Sequence, residues 1–240
     1  MDTKAMEARI QELEKQVAAF QKLEKEVATL KDLEAINRLQ KSYGYYLEHW
    51  MYEDIIDLFA DSPDTVLNIM AGIFIGKEGV RKYFSGIFRM AQNPEFLHQI
   101  MQLSGVVDIG EDGKSAKGRW YGFGSVALPR GEGVYQLFTD GIYTAEYIKE
   151  DGIWKILKLM WNPLYTAPPE KGWVKPERIA ASQQVKIQTF GNAPKPDKPR
   201  DIDPRYPSGY IVPFHYKHPV TGKPSTDAKR NAALKKNKAD

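Results

Sequence analysis

The chain has 240 residues, 42% of them hydrophobic, enough for one well-buried core with appendages. A net charge of +3 gives no bulk electrostatic argument for nucleic acid, and the absence of cysteine excludes a disulfide scaffold, thiol catalysis and thiolate zinc sites. No apolar run reaches membrane-spanning length and the first residues are charged rather than signal-like, so a soluble cytoplasmic protein without nucleic-acid or membrane partners is expected.

Residues 4–31 read as an amphipathic helix, and residues 1–31 as an N-terminal unit. Met6, Ile10, Leu13, Val17 and Phe20 alternate by four and three, and Leu23, Val27 and Leu30 resume after one skipped step. Glu and Lys fill most of the other positions, as on a solvated helix surface. A seam this narrow needs a partner, which predicts a homo-oligomer, a trimer or a dimer. A second helix is expected from Asp32, with Leu33, Ile36, Leu39, Tyr43 and Leu47 on one face. That stripe becomes crowded with Tyr43, Tyr45, Tyr46, Glu48, His49, Trp50 and Tyr52, while Gly44 weakens the helix by about 1 kcal/mol relative to alanine. A short helix over Glu53–Phe59 stops at Asp61-Ser62-Pro63.

Thr65–Met70 then reads as a strand with Asn68 in its middle, followed by a turn, Ile73–Ile75, and a helix from Val80 to Met90 stopped by Asn93-Pro94. Four strand-like segments follow: Leu97–Ile109, Ser115–Leu128, Val134–Lys149 and Trp154–Trp161, with hairpin signals at 111–114 and 150–152. Helices first and long antiparallel strands after predict an α+β fold. Residues 166–240 hold eleven of the fifteen prolines and little periodicity beyond a short helix near Pro176–Gln184. Residues 206–216 are nevertheless aromatic and β-rich, which suggests an ordered arm over 166–226 lying on the barrel or on a neighbouring subunit, followed by a mobile basic tail at 227–240.

Tyr43, Glu48 and the Tyr52–Phe59 helix, the turn and helix in GIFIGKEGVRKYF, the block Gly118-Arg119-Trp120-Tyr121 and the run from Tyr143 to Trp154 together resemble the SnoaL-like branch of the nuclear transport factor 2-like superfamily. The resemblance spans about Asp32 to Leu164, which defines a domain over 32–165. It implies a cone-shaped barrel in which a curved antiparallel sheet wraps helices around a deep apolar pocket. The branch includes bile-acid 7α-dehydratase, scytalone dehydratase, polyketide cyclases and cofactor-independent lyases that release formaldehyde from lignin-derived diarylpropane diols.

The resemblance implies a catalytic histidine at His98 and a tyrosine and acid at Tyr43 and Glu48. Without the resemblance His98 reads better as a histidine satisfied in a sheet, and with it as a functional one; its ordinary pKa of ~6.5 suits proton transfer in both directions. Tyr43 and Glu48 lie about 140° apart on a regular helix, so both reach one pocket only if the helix bends. Asn68 and Arg81 are secondary candidates for substrate binding, as are Trp120 and Trp161 for stacking on an aromatic ring and Asp140 as a pocket acid. Gly122 and Gly124, two apart on a strand, are expected to leave room for a flat ligand. This chain has Gly124 where the bile-acid enzyme has an aspartate, and Asn162-Pro163 where it has an arginine. Both differences point away from a charged substrate.

These features lead to a cofactor-independent lyase, using neither metal nor redox cofactor, on a bulky phenolic substrate. Release of formaldehyde from a diarylpropane diol to give a stilbene through a quinone methide is the expected reaction. A dehydratase, isomerase or cyclase on a steroid or polyketide is the alternative, and a non-enzymatic binding or assembly module the third reading. His215 and His218 are read as packing residues of the arm.

Overall fold

A computed structural model describes residues 3–87, 91, 95–130, 133–171, 194–200 and 212–217, with the single residues 219, 221, 223, 224, 226 and 228. The elements are α1 (Thr3–Glu48), α2 (Tyr52–Asp57), β1 (Val66–Ile69), β2 (Gly72–Ile75), α3 (Gly76–Gly86), β3 (Leu97–Ile109), β4 (Ser115–Arg130), β5 (Gly133–Glu150) and β6 (Ile153–Ala167), then a 3-10 turn at Pro169–Lys171. The Asn93-Pro94 stop, the short helix near Pro176–Gln184, His218 and the tail apart from Ala228 fall outside the described residues.

The sheet has six strands in the order β2-β1-β6-β5-β4-β3. The expected α+β fold with a curved sheet around helices is present; the sheet is mixed and does not close, with β1 parallel to β6 and every other pair antiparallel. β6 continues through Pro163, which a central strand does not ordinarily tolerate. The ladder register shifts between Asp140 and Gly141, beside Pro163, and this irregularity accommodates the missing N–H.

The first and second expected helices are one helix of 46 residues. Gly44 does not break it. A Cβ there would lie 2.9 Å from Gln102 Cγ and 3.3 Å from the Ile100 carbonyl, so the glycine lets α1 lie directly on β3. Described side chains from 3 to 31 are exposed, and Ile36 is the first fully buried residue of the helix. Asp32 marks the arrival of α1 on the body: its Oδ1 accepts from Lys149 Nζ at 2.7 Å and from Trp154 Nε1 at 2.9 Å.

α1 ends with Met51 N–H donating to the Tyr46 carbonyl and Trp50 N–H to the Leu47 carbonyl, while Trp50 takes a φ of 50°. This is the left-handed C-terminal motif in which glycine is usual. A tryptophan there carries about 1–2 kcal/mol of backbone strain. Its ring is buried, and its Nε1 donates to the Phe84 carbonyl at 2.9 Å. The strained turn therefore directs a large ring into the core.

Two arm segments contact the body, one at the edge of the sheet and α3 and one on the outer face of the sheet. Residues 196–198 bridge the edge strand β2, with reciprocal backbone bonds between Ile73 and Lys198, and the Asp197 carboxylate accepts from the Ile75 N–H. Arg119 of β4 donates to the Val212 and Pro213 carbonyls and stacks on Phe214 at 4.4 Å.

Candidate active site

Side chains alternate across each strand, so the sheet has an inner face against α1, α2 and α3 and an outer face under the arm. Ile100 and Gln102 of β3, Trp120 of β4, Tyr143, Ala145 and Tyr147 of β5 and Leu159 and Trp161 of β6 belong to the inner face and are buried. His98, two residues before Ile100, shares that face.

His98 lies among rings. Its imidazole meets the Trp50 indole edge-on at 5.5 Å and stacks beside Phe96 at 6.3 Å. Trp50 in turn contacts Tyr83, Phe84 and Phe96. Desolvation in this apolar setting pushes the His98 pKa down to about 4, so the imidazole is neutral at pH 7. Its Nδ1 is buried and has no hydrogen-bond partner among the described residues. A buried nitrogen left unpaired costs about 1–3 kcal/mol.

A chain of neutral hydrogen-bonding groups runs deeper into the same face. Trp120 Nε1 donates to the Tyr147 hydroxyl at 3.0 Å, which donates to Gln40 Oε1 at 2.7 Å. Gln40 Nε2 donates to Gln102 Oε1 at 2.7 Å, and Gln102 Nε2 to the Ile100 carbonyl at 3.0 Å. The Tyr143 hydroxyl lies near the Gln102 side chain and near the Tyr43 hydroxyl. Burial raises the pKa of Tyr43, Tyr83 and Tyr143, so all three are protonated donors at neutral pH. Tyr43 packs edge-on against Phe59 and Tyr143, and Tyr143 lies 4.4 Å from the Trp161 ring.

The structure thus brings Tyr43 and His98 to one face but not Glu48 with them. Glu48 lies in a cleft of about 300 Å³ between α1 and β3, with Lys41, Tyr45, Met101 and Leu103, and accepts a 3.2 Å bond from Gln99. The helix continues without a break through Gly44 to Glu48, and the angular separation of Tyr43 and Glu48 on a regular helix persists. Gly44 and Gln102 form the wall between that cleft and the buried tyrosines.

Trp120 is a core residue bonded to Tyr147, and its ring fits against Gly105 at the β3 irregularity, where Ser104 has a φ of 47°. Gly122 and Gly124 do not leave free space. The Trp161 indole occupies the place of a Gly122 Cβ, with Tyr143 Cε2 at 2.8 Å, and the Gln99 backbone crowds Gly124. These glycines accommodate a ring and a close strand rather than a ligand, which corrects the expectation.

Asn68, Asp140 and Asn162 belong to the outer face. Asn68 lines a cavity of about 370 Å³ under the arm with Lys117, Glu146, Lys158 and His215, and its Oδ1 is buried without a partner among the described residues. Asp140 pairs with Phe123 and Tyr165 across the sheet, and its pKa is raised by desolvation against a backbone bond from Gly141 that lowers it. Asn162 Nδ2 donates to the Ile142 carbonyl at 3.4 Å, and Asn162 Oδ1 accepts from Arg200 at 2.6 Å. Arg200 also donates to the Trp161 carbonyl at 2.6 Å. An arginine thus returns to the Asn162 position from the arm. Arg81 is exposed on α3 and pairs with Glu78 at 3.4 Å.

Gln40, Gln102, Tyr83 and Tyr143 were not among the expected site residues. The polar interruptions in apolar stripes at Gln40 and Gln102 were a usable signal for them; nothing local distinguishes Tyr143 from a packing tyrosine. Among the described residues no group of three His, Asp or Glu side chains converges to hold a metal ion.

A family model described as a SnoaL-like domain matches residues 28–160. In fold the structure is similar to a proposed scytalone dehydratase from Novosphingobium aromaticivorans, at 18% identity over 62% of this chain and 95% of that chain, with a TM-score of 0.50. It is also similar to the hexachlorocyclohexane dehydrochlorinase LinA-type3 from Novosphingobium barchaimii, at 19% identity over 63% of this chain and 99% of that chain, with a TM-score of 0.48. A protein of unknown function from Mycobacterium tuberculosis aligns at 16% identity over 71% of this chain and 95% of that chain, with a TM-score of 0.49. No curated protein matches the chain by sequence.

Proposed function

The chain belongs to the SnoaL-like domain family, and from that premise we propose that it is a small-molecule lyase working by acid–base catalysis without a cofactor. Its substrate is a bulky, uncharged phenolic compound, and the reaction is release of formaldehyde from a diarylpropane diol to give a stilbene. The observation that supports this most is the composition of the inner face: a neutral imidazole whose buried Nδ1 has no hydrogen-bond partner among the described residues, and protonated phenols on the same face, with neither of the candidate acids Glu48 and Asp140 placed there. A charged substrate would pay the full desolvation cost in such a setting, while a phenol would not.

The chemistry divides into two stages. The Tyr43–Tyr143 hydroxyl pair donates to the benzylic hydroxyl as it departs. The hydroxyl takes the tyrosine proton and leaves as water, the para-phenol proton passes through solvent to restore that tyrosine, and a quinone methide forms. Neutral His98 then takes the proton of the terminal hydroxyl. The carbon–carbon bond breaks, formaldehyde leaves, and the electron pair flows into the quinone methide. The resulting stilbene phenolate recovers the proton from the imidazolium. A positioned base of this kind contributes ~10²–10⁴-fold.

The test is incubation of the purified protein with a para-hydroxylated diarylpropane diol and with its para-methoxy analogue. Equimolar formaldehyde and stilbene from the first, and no reaction of the second, are expected. Water loss without formaldehyde would replace this reading by a dehydratase. Equal turnover of both compounds would remove the quinone methide.

A further inference from the structure

The part of α1 that precedes the body is a helix of nearly thirty residues whose described side chains are all exposed, including Phe20 at 64% and Leu30 at 65%. Helical stability in proteins comes mostly from packing of the apolar face, and this face packs on nothing in its own chain among the described residues. The identity of its occupant can be read from the residue types along the seam.

Heptad positions assign consistently. In the first stretch Ile10 and Val17 take position a, and Met6, Leu13 and Phe20 take position d. The three-residue step from Phe20 to Leu23, in place of four, is an inserted stammer that overwinds the helix locally. Phe20 then also serves as the a position of the second stretch, with Val27 at a and Leu23 and Leu30 at d. Apart from Met6 and Phe20, every a residue is β-branched and every d residue is leucine. That distribution favours a parallel two-stranded coiled coil over three or four strands.

The flanking charges agree with the same arrangement. In a parallel in-register pair, each g residue faces the e residue five positions on in its partner. Within residues 6–31 these pairs are Arg9 with Glu14, Gln16 with Gln21, Ala19 with Glu24, and Glu26 with Lys31 of the second copy. Two are of opposite charge, none is of like charge, and each recurs by the twofold symmetry. We infer that residues 6–30 of two copies of this chain form a parallel, in-register, two-stranded coiled coil that makes the protein a homodimer. At 1.5 Å per residue its seam is about 37 Å long. The inference rests on the helix alone and is independent of the proposed activity.

Because the native chain has no cysteine, Leu23→Cys provides a direct test of register in the full-length protein. Its two d-position thiols face one another in the parallel pair and close a disulfide under mild oxidation. In an antiparallel pair they lie far apart. Light scattering is expected to report a dimer for the parent and a monomer for Leu13→Glu/Leu23→Glu, with unchanged near-ultraviolet circular dichroism from the body. Glu14→Arg places like charges opposite Arg9 and weakens the dimer, and Arg9→Glu added to it restores the affinity. A monomeric or trimeric parent, a dimer that survives the double glutamate variant, or a dimer whose Leu23→Cys form fails to crosslink would each overturn the inference.

Discussion

Along β5, Tyr143, Ala145 and Tyr147 turn inward and are buried, and the polar groups they offer are uncharged hydroxyls. Thr144 and Glu146, one residue away, turn outward to a cavity under the arm, where Glu146 pairs with Lys158 at 2.9 Å. The two environments are separated by a single residue of register. On one face burial raises the pKa of Tyr143 and Tyr147, and the ion pair there is Asp32–Lys149 where α1 arrives on the body; the other carries Lys117, Arg119, Glu146, Lys158 and the Asp108–His215 contact. The lesson is that the parity of a residue's position on its strand decides whether a polar side chain is a candidate for chemistry or a support for the arm.

The sharpest way to break this contrast is to compare turnover across the two environments. His98→Ala is expected to lose ~10²–10⁴-fold in turnover with an intact circular dichroism spectrum, as for removal of a positioned base. Glu48→Gln retains its bond from Gln99 in the cleft beyond the Gly44 wall and is expected to leave turnover near that of the parent. Equal losses in both would mean that the cleft and the inner face act as one site.

A second comparison uses pH. The folded pKa of His98 is about 4 against an ordinary value of 6.5, so the unfolded chain binds the extra proton between these values. The stability contributed by the neutral imidazole is complete above pH 6.5 and drains away as the pH falls toward 4, by up to about 3 kcal/mol. Urea titrations at pH 7 and pH 4 are expected to show a smaller acid loss in His98→Phe than in the parent. The same loss in both would place the acid sensitivity elsewhere.

Packing separates the faces less strongly. Gly122→Ala drives a methyl group into the Trp161 ring, and overpacking of this kind costs about 1–3 kcal/mol. Its neighbour Tyr121 points outward and is half exposed, so Tyr121→Ser is expected to stay within about 0.5 kcal/mol. Thermal unfolding of the pair checks the difference. The smallest effect belongs to the arm: Phe214→Leu keeps an apolar contact but removes the ring under Arg119, for about 0.5–1 kcal/mol. A melting temperature indistinguishable from the parent would mean that the stacking contributes nothing.

Much of this architecture was legible from local pattern. β3 occupies Leu97–Ile109, the bounds that its alternation and the following Gly-Glu-Asp-Gly turn indicate. The charged, striped N-terminal helix was equally clear, although its fusion with the next helix was not, because a single Gly44 carries no sign of whether it bends a helix or admits a strand. The parallel pairing of β1 with β6 depends on a return across most of the chain, which no local signal encodes. The site divides in the same way. Tyr43 and His98 could be found by residue type and place, whereas Gly124 is explained only by the Gln99 backbone, and Arg200 approaches Asn162 from a segment of weak periodicity. Trp50, left-handed at the helix end, has no sequence signature, since that conformation usually announces itself with glycine.

The unbroken length of α1 gives the molecule a crankshaft. Tyr43 and the seam that starts at Met6 are keyed to one another, because one continuous helix from Thr3 to Glu48 carries both. Each residue inserted near Lys31 would turn the N-terminal seam by about 100° relative to Tyr43 and move it by about 1.5 Å, while seven residues would nearly restore the phase. The angular setting of whatever grips the seam is thereby a property of the body, and changes in helix length are tolerated only in steps that respect that phase.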